Sequence, residues 1–244
     1  APFLDVAQRS LFVDGELALM LAARQLVSAD AARGAQLGAR VDRVAGQLER
    51  GPALLGESYP DEAWVFCNAV ALAAIRIADL TEGSDHADLI ARWLASAKAS
   101  LIDRGTGLLV SETTYAGQVQ DGPEGSTIWL VADMLLVVDP AFARAQYARA
   151  RAHLGGGALG FAWAREWPAS WPGPDDVDSG PTIPLLGANA GASGLALVGA
   201  AAFGDRAYLD DLLASLMIGG FPIESDGALR FAAGNQLADA VIAY

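Results

Sequence analysis

The chain has 244 residues, 53% of them hydrophobic, enough to bury a large core, and no Ser-rich or charged linker divides it. Its 16 basic and 29 acidic residues give a net charge of −13, which repels phosphate backbones and anionic lipid surfaces and argues against nucleic-acid binding. One cysteine rules out an internal disulfide and two histidines are too few for a typical zinc site, so structural metals are not expected.

The opening APFLDVAQRS has neither a basic nor an apolar leader region, so no signal peptide is read there; the compartment stays open between the cytoplasm and export after processing. Leu11–Val27 is nearly uniformly apolar and predicts a helix buried on every side, with Asp14 as an isolated acid near its start. Ala29–Arg50 carries charge on one face and predicts a solvent-facing partner. After the loop GPALLGESYPDE, Trp64–Leu80 is again uniformly apolar, and the amphipathic Ser84–Arg104 follows with Ser84 and Asp85 as N-cap candidates. Beyond GTGLLVSETTYAGQVQDGPEG, the uniform Thr127–Val138 encloses Asp133 among apolar neighbours, where burial would raise its pKa; the alternative is a hydrogen bond to a helix terminus.

Pro140–Leu154 is amphipathic, with Pro140 suited to a first helical turn, and GGGALG reads as its stop. After the long Trp- and Pro-rich loop come the uniform Leu185–Phe203 and the amphipathic Arg206–Met217, for which Asp205 is the N-cap. The charge-free run 179–204 is broken by Pro181 and Pro184, which leaves too short a helix for a membrane span of about 20 residues. GGFPIESDGALRFAAGN then leads to a last apolar segment, Gln236–Tyr244.

The buried segments start every 50 to 60 residues. That period indicates an αα-hairpin array and an all-α fold: one domain over 1–244, an (α/α) toroid of inner and outer helices, with an open α-solenoid as the alternative. Four and a half pairs are visible, so an (α/α)6-like ring is incomplete and needs further residues or a partner subunit, as in a homo-oligomer. The long loops all precede buried helices and should gather on one rim, where LLVSETTYAG and GALRFAA predict short β-hairpins.

Aromatics and carboxylates crowd that rim. Tyr59, Trp64, Tyr115 and Trp163 would wall a site, beside acids that include Asp61, Glu62, Glu112, Asp121, Glu124, Glu166, Asp175, Asp176, Asp178 and Glu224. Such a wall suits sugars flanked by paired carboxylates, or apolar alcohols whose developing carbocations rest on π-faces. Asp239 raises the same question as Asp14, and Asn68, Asn189 and Asn235 recur near buried-helix starts, as caps or as cavity-facing amides. His86 and His153 fall on outer helices and read as surface or capping residues.

In ESYPDEAWVFCNAVALAAIRIADL, Asp61 can cap the helix, which puts Cys67 in its early turns. There the helix dipole lowers a thiol's pKa while apolar burial raises it, and a cysteine in an Ala-rich helix also serves simply as a small core residue. SYPDEAWVFCN resembles the linalool dehydratase-isomerase family. Ser58 falls where the first family cysteine would be, Pro60 matches its proline, and Cys67-Asn68 match the second cysteine and its neighbour. No histidine of an inner helix or rim loop matches the family's histidine.

The resemblance implies an (α/α)6 toroid and a cofactor-free reaction that moves water off and onto a monoterpene alcohol in a hydrophobic cavity. Cys67, with Ser58 beside it, and a buried carboxylate, Asp14 or Asp133, would then exchange protons with a small apolar substrate. A carbohydrate-active toroid using two of Asp61, Glu62, Glu124, Asp178 and Glu224, with carboxyls about 5 to 9.5 Å apart, is the second reading. A non-catalytic toroid holding a hydrophobic ligand or partner is the third.

Overall fold

The computed structural model describes residues 2–5, 7, 10–171, 173–174 and 177–234. The expected helix Gln236–Tyr244 and Asn235, Asp239, Asp175 and Asp176 lie outside the described residues. Among those described, the chain is mostly helical, with eight helices and three small antiparallel sheets. None of these helices is long and apolar enough to cross a membrane. The contacts divide the chain into two compact units, Ala1–Gly122 with Met134–Ala143, and Pro123–Asp133 with Arg144–Tyr244.

The first unit holds α1 (Leu11–Val27), α2 (Ala31–Arg50), α3 (Val65–Glu82) and α4 (Ala87–Ser100). Its centre is α3, where every residue from Cys67 to Ile75 is buried, as its uniform composition predicts. Small side chains let α1 come close: a Cβ added at Gly15 would lie 3.6 Å from the Cys67 carbonyl oxygen and 3.7 Å from Ala71 Cβ. On α2 the buried residues Leu37, Val41, Val44, Ala45 and Leu48 follow helical spacing and turn the charges outward. Leu89, Ile90, Trp93 and Ala97 do the same for α4.

Two expectations need correction here. Helix α1 is not buried on every side, since Val13, Leu17, Met20 and Val27, at helical spacing, stay exposed. Helix α4 starts at Ala87 and not at Ser84, because Ser84 and His86 are drawn back to Asp79. The Ser84 hydroxyl donates to Asp79 Oδ1 at 2.8 Å, and His86 Nδ1 lies 2.7 Å from the same oxygen.

In the first unit β1 (Ala63–Trp64), β2 (Glu112–Thr113) and β3 (Val119–Asp121) form a three-stranded sheet, of which only β2 lies in the stretch LLVSETTYAG expected to form a hairpin. Helices α5 (Gly125–Val138) and α6 (Pro140–His153) each contribute residues to both units. The second unit adds β4 (Gly155–Ala158), β5 (Phe161–Arg165), β6 (Thr182–Ile183) and β7 (Ala188–Asn189), ordered β4-β5-β7-β6. It ends in α7 (Ala190–Phe203), α8 (Arg206–Gly219) and the hairpin of β8 (Pro222–Ser225) and β9 (Ala228–Phe231), of which only β9 lies in the stretch GALRFAA expected to form a hairpin.

The four-stranded sheet is unanticipated. Helix α6 does stop before the glycines, but Gly155–Gly157 then pair with β5, so the stretch read only as a helix stop is also a strand. Helix α7 begins at Ala190 rather than Leu185, because Leu185 and Gly187 take φ of 70° and 63° and Asn189 caps the helix by accepting from Ala192 N. Trp129 is fully buried between Tyr147 and Tyr208, at ring separations of 5.8 and 5.9 Å. Gly199 has to be small here, because an added Cβ would come within 3.3 Å of the Trp129 ring.

Asp205 caps α8 as the sequence predicts, accepting from Tyr208 N, and also accepts from the Tyr147 hydroxyl at 3.0 Å and Arg151 Nε at 2.8 Å. Asp205→Ala removes all three bonds. We expect it to cost about 1–3 kcal/mol, read as a lower urea midpoint at an unchanged m-value.

Candidate active site

The loop that delivers the chain to α3 is held by two buried polar side chains. The Glu57 carboxylate, fully buried, accepts from the backbone N–H groups of Leu4, Asp5 and Asp61 at 2.8–3.0 Å. Asn68, also fully buried, donates to the Trp64 and Gly56 carbonyls and accepts from Gly56 N at 3.0 Å, which fastens the loop to the first turn of α3. Asn68 is therefore engaged with backbone on both sides of its amide.

Asp61 does not cap α3. It sits at φ 63°, donates its N–H to Glu57 and accepts from Tyr115 N at 3.2 Å, and the helix starts without a side-chain cap. The Val65 N–H donates instead to the Ser111 carbonyl at 2.9 Å, and the Trp64 N–H donates to Ser58 Oγ at 3.3 Å. Ser58 is thereby fixed at the start of α3, where its hydroxyl also meets the Cys67 thiol. The two positions singled out by the motif are thus brought into one hydrogen-bonded pair.

Both members are closed off from solvent, with Cys67 4% and Ser58 0% exposed. Burial pushes the thiol up to about 12; the Ser58 hydrogen bond opposes that rise and the Glu16 carboxylate adds to it. The thiol is therefore neutral at ordinary pH, and the helix start does not make it a thiolate.

Glu16 is the neighbour that sequence reasoning missed. It follows Gly15, whose backbone faces Cys67, and burial raises its carboxyl above the usual glutamate value. Asp14, the acid chosen from sequence, is turned to α2. There it is 1% exposed and bound by Arg40, Arg43 and Gln47. The two acids stand about 200° apart around the helix, so the choice rested on which side of α1 meets α3.

A second carboxylate group lies on the sheet beside the start of α3. Trp64 pairs with Glu112 and Glu112 with Asp121, while the Trp64 indole N–H donates to Glu62 Oε2 at 3.3 Å. Burial, then the charges of Glu62 and Asp121, lift Glu112 to about 7; Asp121 is also raised, by burial. Among the described residues no group of three or more His, Cys, Asp or Glu is placed to hold a metal ion.

Of the other aromatics, Tyr59 is 47% exposed and tilted against Phe12 at 6.2 Å, whereas Tyr115 is buried. Asp133, Trp163 and Asn189 belong to the second unit. Asp133 is lifted to about 6 by burial, and its buried Oδ2 has no hydrogen-bond partner, in contrast to the helix-terminus bond weighed as an alternative. Trp163 Nε1 donates to the Leu186 carbonyl at 3.2 Å, and the Asn189 amide donates to Gly180 O at 2.7 Å in addition to capping α7.

Two measurements check these electrostatics. Cys67 should resist a disulfide thiol reagent at about pH 8 in the native protein and titrate as one thiol per chain once denatured. A carboxyl raised by folding stabilises the protein fully below its unfolded pKa of about 4.3 and loses that contribution as pH rises through the folded value. Glu112 should therefore make stability fall up to about pH 7, a slope that Glu112→Gln removes from the pH dependence of the urea midpoint.

No curated protein sequence matches the chain. The profile of the linalool dehydratase/isomerase family matches residues 41–237, a span that carries the Ser58–Cys67 pair, both anchoring side chains and the carboxylates of the sheet, and the chain belongs to that family.

Proposed function

We propose that the chain is a cofactor-independent dehydratase-isomerase of a hydrophobic, terpenoid-type alcohol, with Ser58, Cys67 and Glu16 as its reacting group. Family membership supports the hydro-lyase or isomerase class. The observation that carries the residue assignment is the hydrogen-bonded Ser58–Cys67 pair with Glu16 electrostatically coupled to the thiol. The alternation of buried and solvent-facing helices, together with the family, supports arranging the chain as one (α/α) toroid domain.

In this reading the protonated Glu16 gives its proton to the departing hydroxyl, which leaves as water. The carboxylate formed takes a proton from the neighbouring carbon as the double bond closes, so the acid is regenerated and no net proton is consumed. The neutral thiol and the Ser58 hydroxyl orient the alcohol oxygen, and the Trp64 indole faces the developing cation. Addition of water to the alkene at another carbon, by the reverse steps, is the isomerisation. Glu16 replaces Asp14 in this role because an acid bound by two arginines and an amide is a poor proton carrier.

The test is turnover of a tertiary monoterpenoid alcohol such as linalool, followed by gas chromatography of the alkene and the isomeric alcohol. Cys67→Ala and Glu16→Gln should each lower kcat at least about 100-fold, whereas Asp14→Asn should act mainly on stability. The rate should fall as pH rises past the raised Glu16 carboxyl, since the proton donor is then lost. Wild-type turnover by both Cys67→Ala and Glu16→Gln would remove the assignment.

A further inference from the structure

Among the described residues, the second unit contains a cation, Arg165, with no anion paired to it. Most arginines of the first unit's α2 and α4 and Arg151 of α6 meet Asp or Glu side chains, as expected in a chain whose acids outnumber its bases by 29 to 16. Arg165, at the end of β5, forms no ion pair with a described residue, and its Nε is buried with no hydrogen-bond partner. The acid next to it in sequence does not pair with it: Glu166 Oε1 accepts from the Ser126 hydroxyl, and Oε2 is buried without a partner.

Arg165 lines a cavity of about 260 Å³ with Trp167, Thr182 and the segment from Ile183 to Gly187. The backbone builds this arrangement. Arg165 and Ile183 both register with Ala188 of β7, so the two side chains leave the same face of the sheet. Gly187, at φ 63°, lies against the arginine stem, where a Cβ would sit in ordinary contact, 3.5 Å from Arg165 Cγ and Cδ. The wall is open to solvent and mixed, with Ile183, Leu185 and Leu186, all exposed, supplying its apolar part beside Thr182.

We propose that this cavity binds a small carboxylic acid with a short apolar tail. The guanidinium, a planar fork of donors, takes the carboxylate through paired N–H bonds. The tail lies along Ile183, Leu186 and the Trp167 ring. The cavity falls just below the span of about 300–1,000 Å³ usual for drug-sized ligands, which limits the guest to a short chain. Its residues belong to the second unit and Cys67, Ser58 and Glu16 to the first, so the inference stands independently of the catalytic assignment.

Calorimetric titration of the full chain with hexanoate, 1-hexanol and inorganic phosphate tests it. Hexanoate should bind saturably, with hexanol and phosphate each at least tenfold weaker. Arg165→Gln should weaken hexanoate at least tenfold at an unchanged circular-dichroism spectrum. Leu185 is fully exposed, so Leu185→Asp keeps the fold and should weaken hexanoate through like charge even if the arginine variant fails to fold. Equal affinity for hexanol, tighter binding of phosphate, no saturable binding of hexanoate, or undiminished binding by the variants would each overturn the proposal.

Discussion

Burying α3 on all sides is the constraint from which the first unit follows. The end of α3 reaches water at Leu80 and Glu82, but its start is enclosed, and an unsatisfied buried donor or acceptor there costs about 1–3 kcal/mol. The start of α3 therefore has to be satisfied by protein. Ser58 accepts the Trp64 N–H, Ser111 accepts the Val65 N–H, and Asn68 reaches back to Gly56. One of these residues, Ser58, also meets the thiol. Structure and candidate chemistry share that side chain, as expected where a polar network is enclosed in an apolar surround.

That enclosure decides the electrostatics. A thiol near a helix start is under two opposing influences, and at Cys67 desolvation prevails over the dipole and the Ser58 hydrogen bond. The same desolvation raises Glu16, Glu112 and Asp133 without the compensation of a cation. Asp14 and Asp5, where arginines reach the carboxylate, show the other solution to burying an acid. Enclosed carboxyls are thus held by arginines, as Asp14 and Asp5 are, or raised by burial with no cation beside them, as Glu16, Glu112 and Asp133 are. Only the second suits proton transfer near neutral pH.

Much of this was legible in the sequence, for identifiable reasons. Uniformly apolar and one-sided segments differ in composition over many residues, so α1, α2, α3, α6 and α8 fall close to their expected bounds. The Asp205 cap followed from local residue types, and each stretch expected to form a hairpin supplies one strand of one. What the sequence left open depended on tertiary partners. Asp14 and Glu16 have the same local setting, and only the approach of α1 to α3 at Gly15 separates them. The strand Gly155–Ala158 has no β-forming side chains and exists because β5 pairs with it. Leu185 looked helical by hydropathy, but its left-handed backbone belongs to the turn before β7.

The bond from Asn68 to Gly56 spans only 12 residues. Closing so short a loop costs little chain entropy, so this fastening can form early in folding, and Ser58 and Cys67, both held within it, meet without help from the rest of the chain. Glu16 arrives only when α1 docks, a much longer loop closure. The thiol–hydroxyl pair is thus closed by local contacts and the carboxyl is brought in by long-range ones. A folding intermediate lacking a docked α1 would present the pair already assembled and still wet, and the desolvation that tunes it would appear as the last step.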